Sequence, residues 1–247
     1  MKRPKTALVS LLLIGVILTG CGSSTGSKSS KSANSTATSS SSTTSRKTPE
    51  SAANQQATMK PYSVPKTDRQ SQQYQKSGVL SLPGEFSYDR VGTKLQLVQK
   101  HTYKQQTSTT GLRYRVTTIK TIKNTAKTAA AKSMAAQAFN IQQIPNPYRT
   151  VQLTFNVTNS RGQTVKIDGI KQITINNKGT VTSASGLSDA SAGQSIGAHQ
   201  TKTFTAMVLA GPADYRVTRL NVAFSGSYST SGDALSKAPG TLTLSLQ

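Results

Sequence analysis

Four apolar residues, Val151, Leu153, Phe155 and Val157, alternate with Gln152, Thr154 and Asn156. A repeat of two places successive side chains on opposite sides of an extended chain, so this segment is read as a strand with one buried face. The same period returns at Leu95/Leu97, Leu112/Tyr114/Val116, Val165/Ile167, Ile173/Ile175, Phe204/Ala206/Val208, Leu220/Val222/Phe224 and Leu242/Leu244/Leu246. Together these predict roughly eight strands. The phase slip from Val116 to Ile119 and Ile122 predicts a bulge or a change of face. Asn159-Ser160-Arg161-Gly162 and Asn176-Asn177-Lys178-Gly179 supply residues that tolerate positive φ where hairpins need it. Short strands joined by such turns point to a mainly β, antiparallel sandwich rather than a parallel α/β sheet.

One stretch departs from this pattern. Thr125 to Ile141 is Ala-rich, with Ala131, Met134, Ala135, Ala138 and Phe139 at helical spacing and Pro145 and Pro147 beyond. It predicts one helix packed across the sandwich, as a lid on a sheet edge or on an end of the core. All five Phe lie after Leu80, and the folded domain is therefore expected over 80–247. Before it, Ser, Thr, Gln, Ala and Lys dominate, as in Ser39-Ser40-Ser41-Ser42-Thr43-Thr44-Ser45. Such residues cannot bury enough surface to offset the entropy of ordering, so 21–79 is expected to be a disordered linker.

The N-terminus reads as an export signal over 1–20. Lys2, Arg3 and Lys5 precede a 12-residue apolar run from Ala7 to Leu18, shorter than the ~20 residues a membrane-spanning helix needs. Leu18-Thr19-Gly20-Cys21 follows at once and resembles a bacterial lipobox, in which small residues before a Cys allow cleavage ahead of a lipid-modified thiol. Cys21, the only Cys of the chain, then becomes the lipid-bearing mature N-terminus. A single acyl chain holds only marginally, whereas two or three anchor firmly. The implied location is the outer face of a bacterial cytoplasmic membrane, facing the cell wall, with the membrane itself as one partner through Cys21.

Charge bears on the remaining partners. Lys and Arg number 30 against 8 Asp and Glu, a formal charge of +22. An excess of one sign spread along the chain favours polyanionic surroundings. Arg113 and Arg115 share a strand face with Thr117 and, with Lys120 or Lys123 nearby, make an outward basic stripe. Three Tyr-Arg dipeptides add Tyr114, Tyr148 and Tyr215, with Arg149 and Arg216 as further candidate anion-binding cations. Export makes an anionic wall polymer or an envelope protein the accessible partner and nucleic acid an unlikely one. Catalytic constellations are thin. His101 and His199 are the only histidines and lie in no nucleophile motif; Glu85 and Asp89 fall four apart in a Gly/Pro-bounded segment. Neither a phosphate loop nor a calcium loop occurs, and no cofactor is expected.

The order of elements resembles the immunoglobulin-like domain of the immunoprotective-extracellular-protein type, found in lipoproteins of Gram-positive bacteria. The resemblance is carried by the Val151–Asn159 strand, the Ile173–Gly179 hairpin, Ile196-Gly197-Ala198 ahead of Phe204–Val208, and the Leu220–Phe224 strand. It covers about residues 90–228. Ile196-Gly197 stands where the family often has Pro-Gly, and the Ala-rich helix is longer than the family pattern. The resemblance implies an immunoglobulin-like sandwich displayed at the envelope as a non-catalytic binding module. The alternative expectation is an accessory factor or enzyme acting on cell-wall polymers.

Overall fold

The computed structural model describes residues 60–246. The export signal, Leu18, Thr19, Gly20, Cys21 and most of the linker thus lie outside the described residues. In chain order the elements begin with α1 (Lys66–Arg69), β1 (Phe86–Tyr88), β2 (Thr93–Thr102), β3 (Gln106–Thr109), β4 (Leu112–Ala126), α2 (Ala129–Ala138), β5 (Tyr148–Asn159), β6 (Val165–Ile167) and β7 (Ile170–Ile175). They continue with β8 (Gly179–Val181), β9 (Leu187–Asp189), β10 (Gln194–Ile196), β11 (Thr201–Pro212), β12 (Arg219–Phe224), β13 (Ser227–Tyr228), β14 (Ala234–Ser236) and β15 (Leu242–Ser245).

The chain is mainly β and its sheets are antiparallel. A seven-stranded sheet runs β1-β2-β4-β5-β11-β9, with β3 also paired to β4. Two four-stranded sheets, β10-β6-β13-β14 and β15-β12-β7-β8, make the opposing layer. The alternating residues explain why the layers meet. Tyr114, Val116, Val151, Leu153, Phe155, Val157, Phe204, Ala206 and Val208 from the large sheet share one buried cluster with Ile167, Ile173, Leu220, Phe224 and Leu244 from the smaller ones. Phe224 sits between Tyr114 and Phe155, with ring centroids 4.4 and 5.2 Å away, so aromatic packing joins the two layers. The predicted antiparallel sandwich is the observed architecture.

The phase slip in β4 is a bulge. Val116 pairs with Phe155 and Thr118 with Thr154, leaving Thr117 as the extra residue. After it the inward positions are Ile119 and Thr121, and the outward ones Thr118, Lys120, Ile122 and Asn124.

The large sheet therefore has an outer face, and one end of it is covered. Helix α2 lies over this end, packing Ala131 with Val91 and Ala126, and Ala136 with Phe139, Ile144 and Tyr148. Thr128 caps it by accepting from the Ala131 amide at 2.9 Å, and Asn140, at φ 51°, ends it. It is shorter than the predicted 125–141. Strand β4 continues through Ala126, whose amide and carbonyl both bond the Asn146 side chain, so sheet pairing outcompetes helix propensity in the first residues. It also covers a sheet face rather than an edge.

The folded part starts earlier than Leu80. Tyr62 stacks on Tyr88 with ring centroids 5.4 Å apart, and Asp68 accepts from the Tyr88 hydroxyl and pairs with Lys94 at 3.2 Å. Gln73 and Gln75 make backbone bonds with Phe86, masking the free edge of β1. Leu80 then crosses to the outer face against Leu97 and Ile122. The sequence around 60–79 is polar enough to read as linker, yet Tyr62, Tyr74 and Leu80 supply the apolar contacts that order it.

Candidate anion-binding face

Beyond the cover, the outer face of the large sheet is bare, and register alone decides what it displays. Four cross-strand rows run over it. The first is Lys100, Lys120, Gln152 and Met207; the second is Thr102, Thr118, Thr154 and Thr205. The third is Gln106, Arg115, Asn156 and Thr203, and the fourth Ser108, Arg113, Thr158 and Thr201. Four cations thus stand among hydroxyls and amides, with no carboxylate at any of these positions.

The polar groups are held in order across the strands. Thr203 donates to Asn156 Oδ1 at 2.9 Å, and the hydroxyls of Thr158 and Thr201 lie 2.8 Å apart. Arg113 and Arg115 are exposed and, two residues apart on one strand, project roughly 7 Å from each other. Lys120 is half-buried and donates to the Leu80 carbonyl at 2.7 Å. Burial, and then the nearby Lys100 ammonium, lower its pKa.

The acids of the domain lie off these rows, but Glu85 is near enough to Lys100 and Lys120 to act on both. Glu85 accepts from the amides of Leu82 and Ser81 and from Gln75, and those amides hold its carboxyl below the usual range. Asp89 accepts from Val91 and Thr93. Asp233 takes hydroxyl protons from Ser231 and Ser229, which lower its pKa. Asp189 accepts from the Ile170 and Ser191 amides and the Ser191 hydroxyl, while burial pushes its pKa up. Glu85 thus offsets part of the charge at the Lys100–Lys120 end, while Arg113 and Arg115 form no ion pair among the described residues.

Of the five candidate cations, the structure brings three together. Arg113, Arg115 and Lys120 share the bare face, and the bulge selects Lys120 over Lys123, which pairs with Arg149 on the opposite face of the sheet. Arg149 is half-buried, donates to the Ala213 carbonyl and has its pKa lowered by burial. Arg216 is exposed in the connection from β11 to β12, where its carbonyl accepts from Asn176. Neither joins the rows. The Tyr-Arg dipeptides are not stacking platforms as a set: Tyr114 is buried in the core, Tyr148 lies under α2, and Tyr215 packs against the core margin. Sequence reasoning missed Lys100 and the threonine row, which come from strands whose alignment is set by pairing.

His101 is half-buried on β2, and its Nε2 has no partner among the described residues. His199 sits at φ 56° in the turn before β11. Among the described residues no three of His, Cys, Asp and Glu gather as a metal-ligand set, and no helix is long and apolar enough to cross a membrane.

No protein-family model matches the chain, and no curated protein matches it. A solved structure described as "X-ray structure of Northeast Structural Genomics Consortium target SoR45" is similar, with a TM-score of 0.32 and 16% identity over 55% of this chain and 87% of that one.

Proposed function

We propose that this chain is an envelope lipoprotein whose β-sandwich binds an anionic envelope polymer through the bare face of its large sheet, without catalysis of its own. In this reading the signal peptide is removed, Cys21 carries acyl chains such as palmitate, and the Ser/Thr-rich segment tethers an extracellular, immunoglobulin-like domain to the membrane of a Gram-positive cell. The membrane partner is reached through Cys21 and the polymer through the domain.

The observation that carries the reading is the set of cations Lys100, Lys120, Arg115 and Arg113 on a face otherwise lined by Thr, Asn, Gln and Ser with Met207 at its margin. Phosphate groups are well served by such a surface. Arg offers two parallel donors per anion, Lys a point charge, and hydroxyls complete the hydrogen bonding. An open sheet face suits an extended polymer better than a compact ligand, which needs concavity.

Two measurements test it. The full chain is expected to sediment with purified cell-wall sacculi that retain their anionic polymer and to stay in solution with sacculi stripped of it; equal retention by both overturns the polymer assignment. Cys21→Ala should move the protein from the membrane fraction to the medium, and unchanged membrane retention would overturn the anchor.

A further inference from the structure

The covered end of the same sheet holds a feature that polymer binding does not use. Between α2 and the sheet lies a cleft of about 270 Å³. Its origin is the composition of the helix: Ala131, Ala135 and Ala138 form the roof, and side chains this small cannot reach the floor of Leu95 and Ile122. A Leu at the same positions would fill the space. Met207, 37% exposed, stands among the lining residues at the side open to the bare face.

The cleft is not simply a packing fault, because its floor carries buried polar groups with unused capacity. Asn124 is 3% exposed and donates to the Thr150 hydroxyl at 2.8 Å and to the Ile122 carbonyl at 3.2 Å. Both amide protons are thereby used, and Oδ1 is left as an acceptor. Thr150, 4% exposed, accepts that bond and keeps its own proton to donate. Tyr148, also 4% exposed and directly across the strands from Asn124, lines the cleft with a hydroxyl that bonds no other described residue. An acceptor and two donors with unused capacity thus line one largely apolar space.

We propose that this cleft binds a small uncharged molecule with an apolar body and one hydrogen-bonding head group. The body lies between the alanine roof and the Leu95–Ile122 floor; the head meets Asn124 Oδ1, the Thr150 hydroxyl and the Tyr148 hydroxyl. Neutrality follows from the lining. No cation faces the cleft to receive an anion, and the one carboxylate there, Asp89, already holds the Val91 and Thr93 amides on its Oδ1 and would repel one. An unpaired charge would be costly in such a place. The volume equals that of about nine waters at the ~30 Å³ each occupies in the liquid, and covalently bonded ring atoms pack more closely than waters do, so a two-ring molecule is admitted.

1-Naphthol fits this description, and because the chain has no Trp its fluorescence can be read against tyrosine alone. Titrated with the full chain, it is expected to bind saturably at one site, with naphthalene about tenfold weaker and 1-naphthoate weaker still. Tyr148→Phe should weaken naphthol several-fold and leave naphthalene unchanged. Ala135→Phe should abolish both by filling the cleft, and Ala138→Leu provides a second filled variant if the first does not fold. Absence of saturable binding, naphthalene binding as tightly as naphthol, or unaltered binding in a folded filled variant would each overturn the site. Retention on cell-wall sacculi is independent of all these outcomes.

Discussion

The two ends of the outer face belong to the same strands, yet one is covered and the other is bare. At the covered end β2, β4 and β5 place Leu95, Leu97, Ile122, Ala126 and Tyr148 outward, and α2 together with the segment leading to Leu80 buries them. At the bare end the same strands place Lys100, Arg113, Arg115, Thr118, Thr154 and Asn156 outward, and nothing in the domain covers these. What decides between cover and exposure is the side chain at every second position. Apolar outward residues demand a second layer, whereas hydroxyls and cations are satisfied by water until a ligand replaces it.

The largest effect that can break this contrast is on stability. Phe139→Ala at the covered end, where the ring is 3% exposed, is expected to cost about 3–5 kcal/mol by the usual penalty for emptying a core site. Thr154→Ala on the bare face should stay within ~0.5 kcal/mol. Urea denaturation of both variants checks the pair, and a Thr154 variant as damaging as the Phe139 one would show that the bare end is structural.

A smaller effect is expected at the seam. Lys120 belongs to the cationic rows but spends a charged hydrogen bond on the Leu80 carbonyl. Lys120→Met should cost roughly 1.5–3 kcal/mol, the range for hydrogen bonds to charged groups, and should also weaken polymer binding. Loss of one property without the other would assign this residue to a single end.

The smallest effect concerns pH. The hydrogen bond from Tyr88, opposed by some burial and aided by Lys94, holds the Asp68 carboxyl below its usual range. Its stabilisation is therefore present above the unfolded pKa, ~3.9, and is lost as pH falls through the lower folded value. Asp68→Asn should flatten the acid limb of the stability curve without altering binding at neutral pH. An unchanged acid limb would remove Asp68 from the forces that hold the N-terminal segment.

Much of the sandwich was legible because its core strands are long enough to express a period of two; Val151 to Val157 shows it over a full strand. Strands such as β3, β10 and β13 are too short to show it, and they emerge only through pairing. The segment from 60 to 79 was hidden for another reason: its few apolar side chains act singly, each against one partner, as Tyr62 does with Tyr88. On the candidate face, Arg113 and Arg115 were visible as neighbours in sequence. Lys100 and the four threonines of the second row were not, since only the register of β2, β4, β5 and β11 aligns them. The cleft was invisible because it is made by small side chains opposite an apolar floor, a property of two elements together.

If the bare face, rather than the overall charge of the domain, holds the polymer, its two arginines should carry the salt dependence of binding. The most direct test is the salt dependence of affinity for inorganic polyphosphate, comparing the full chain with Arg113→Ala/Arg115→Ala and with a control that removes two cations elsewhere, Lys178→Ala/Arg216→Ala. Each phosphate contact contributes close to one to the slope of log affinity against log salt. A slope shallower by about two and an affinity at least tenfold lower are expected for the Arg113/Arg115 variant, with the control near wild type. Equal slopes for both double variants would contradict this and leave a diffuse cationic surface in place of a site.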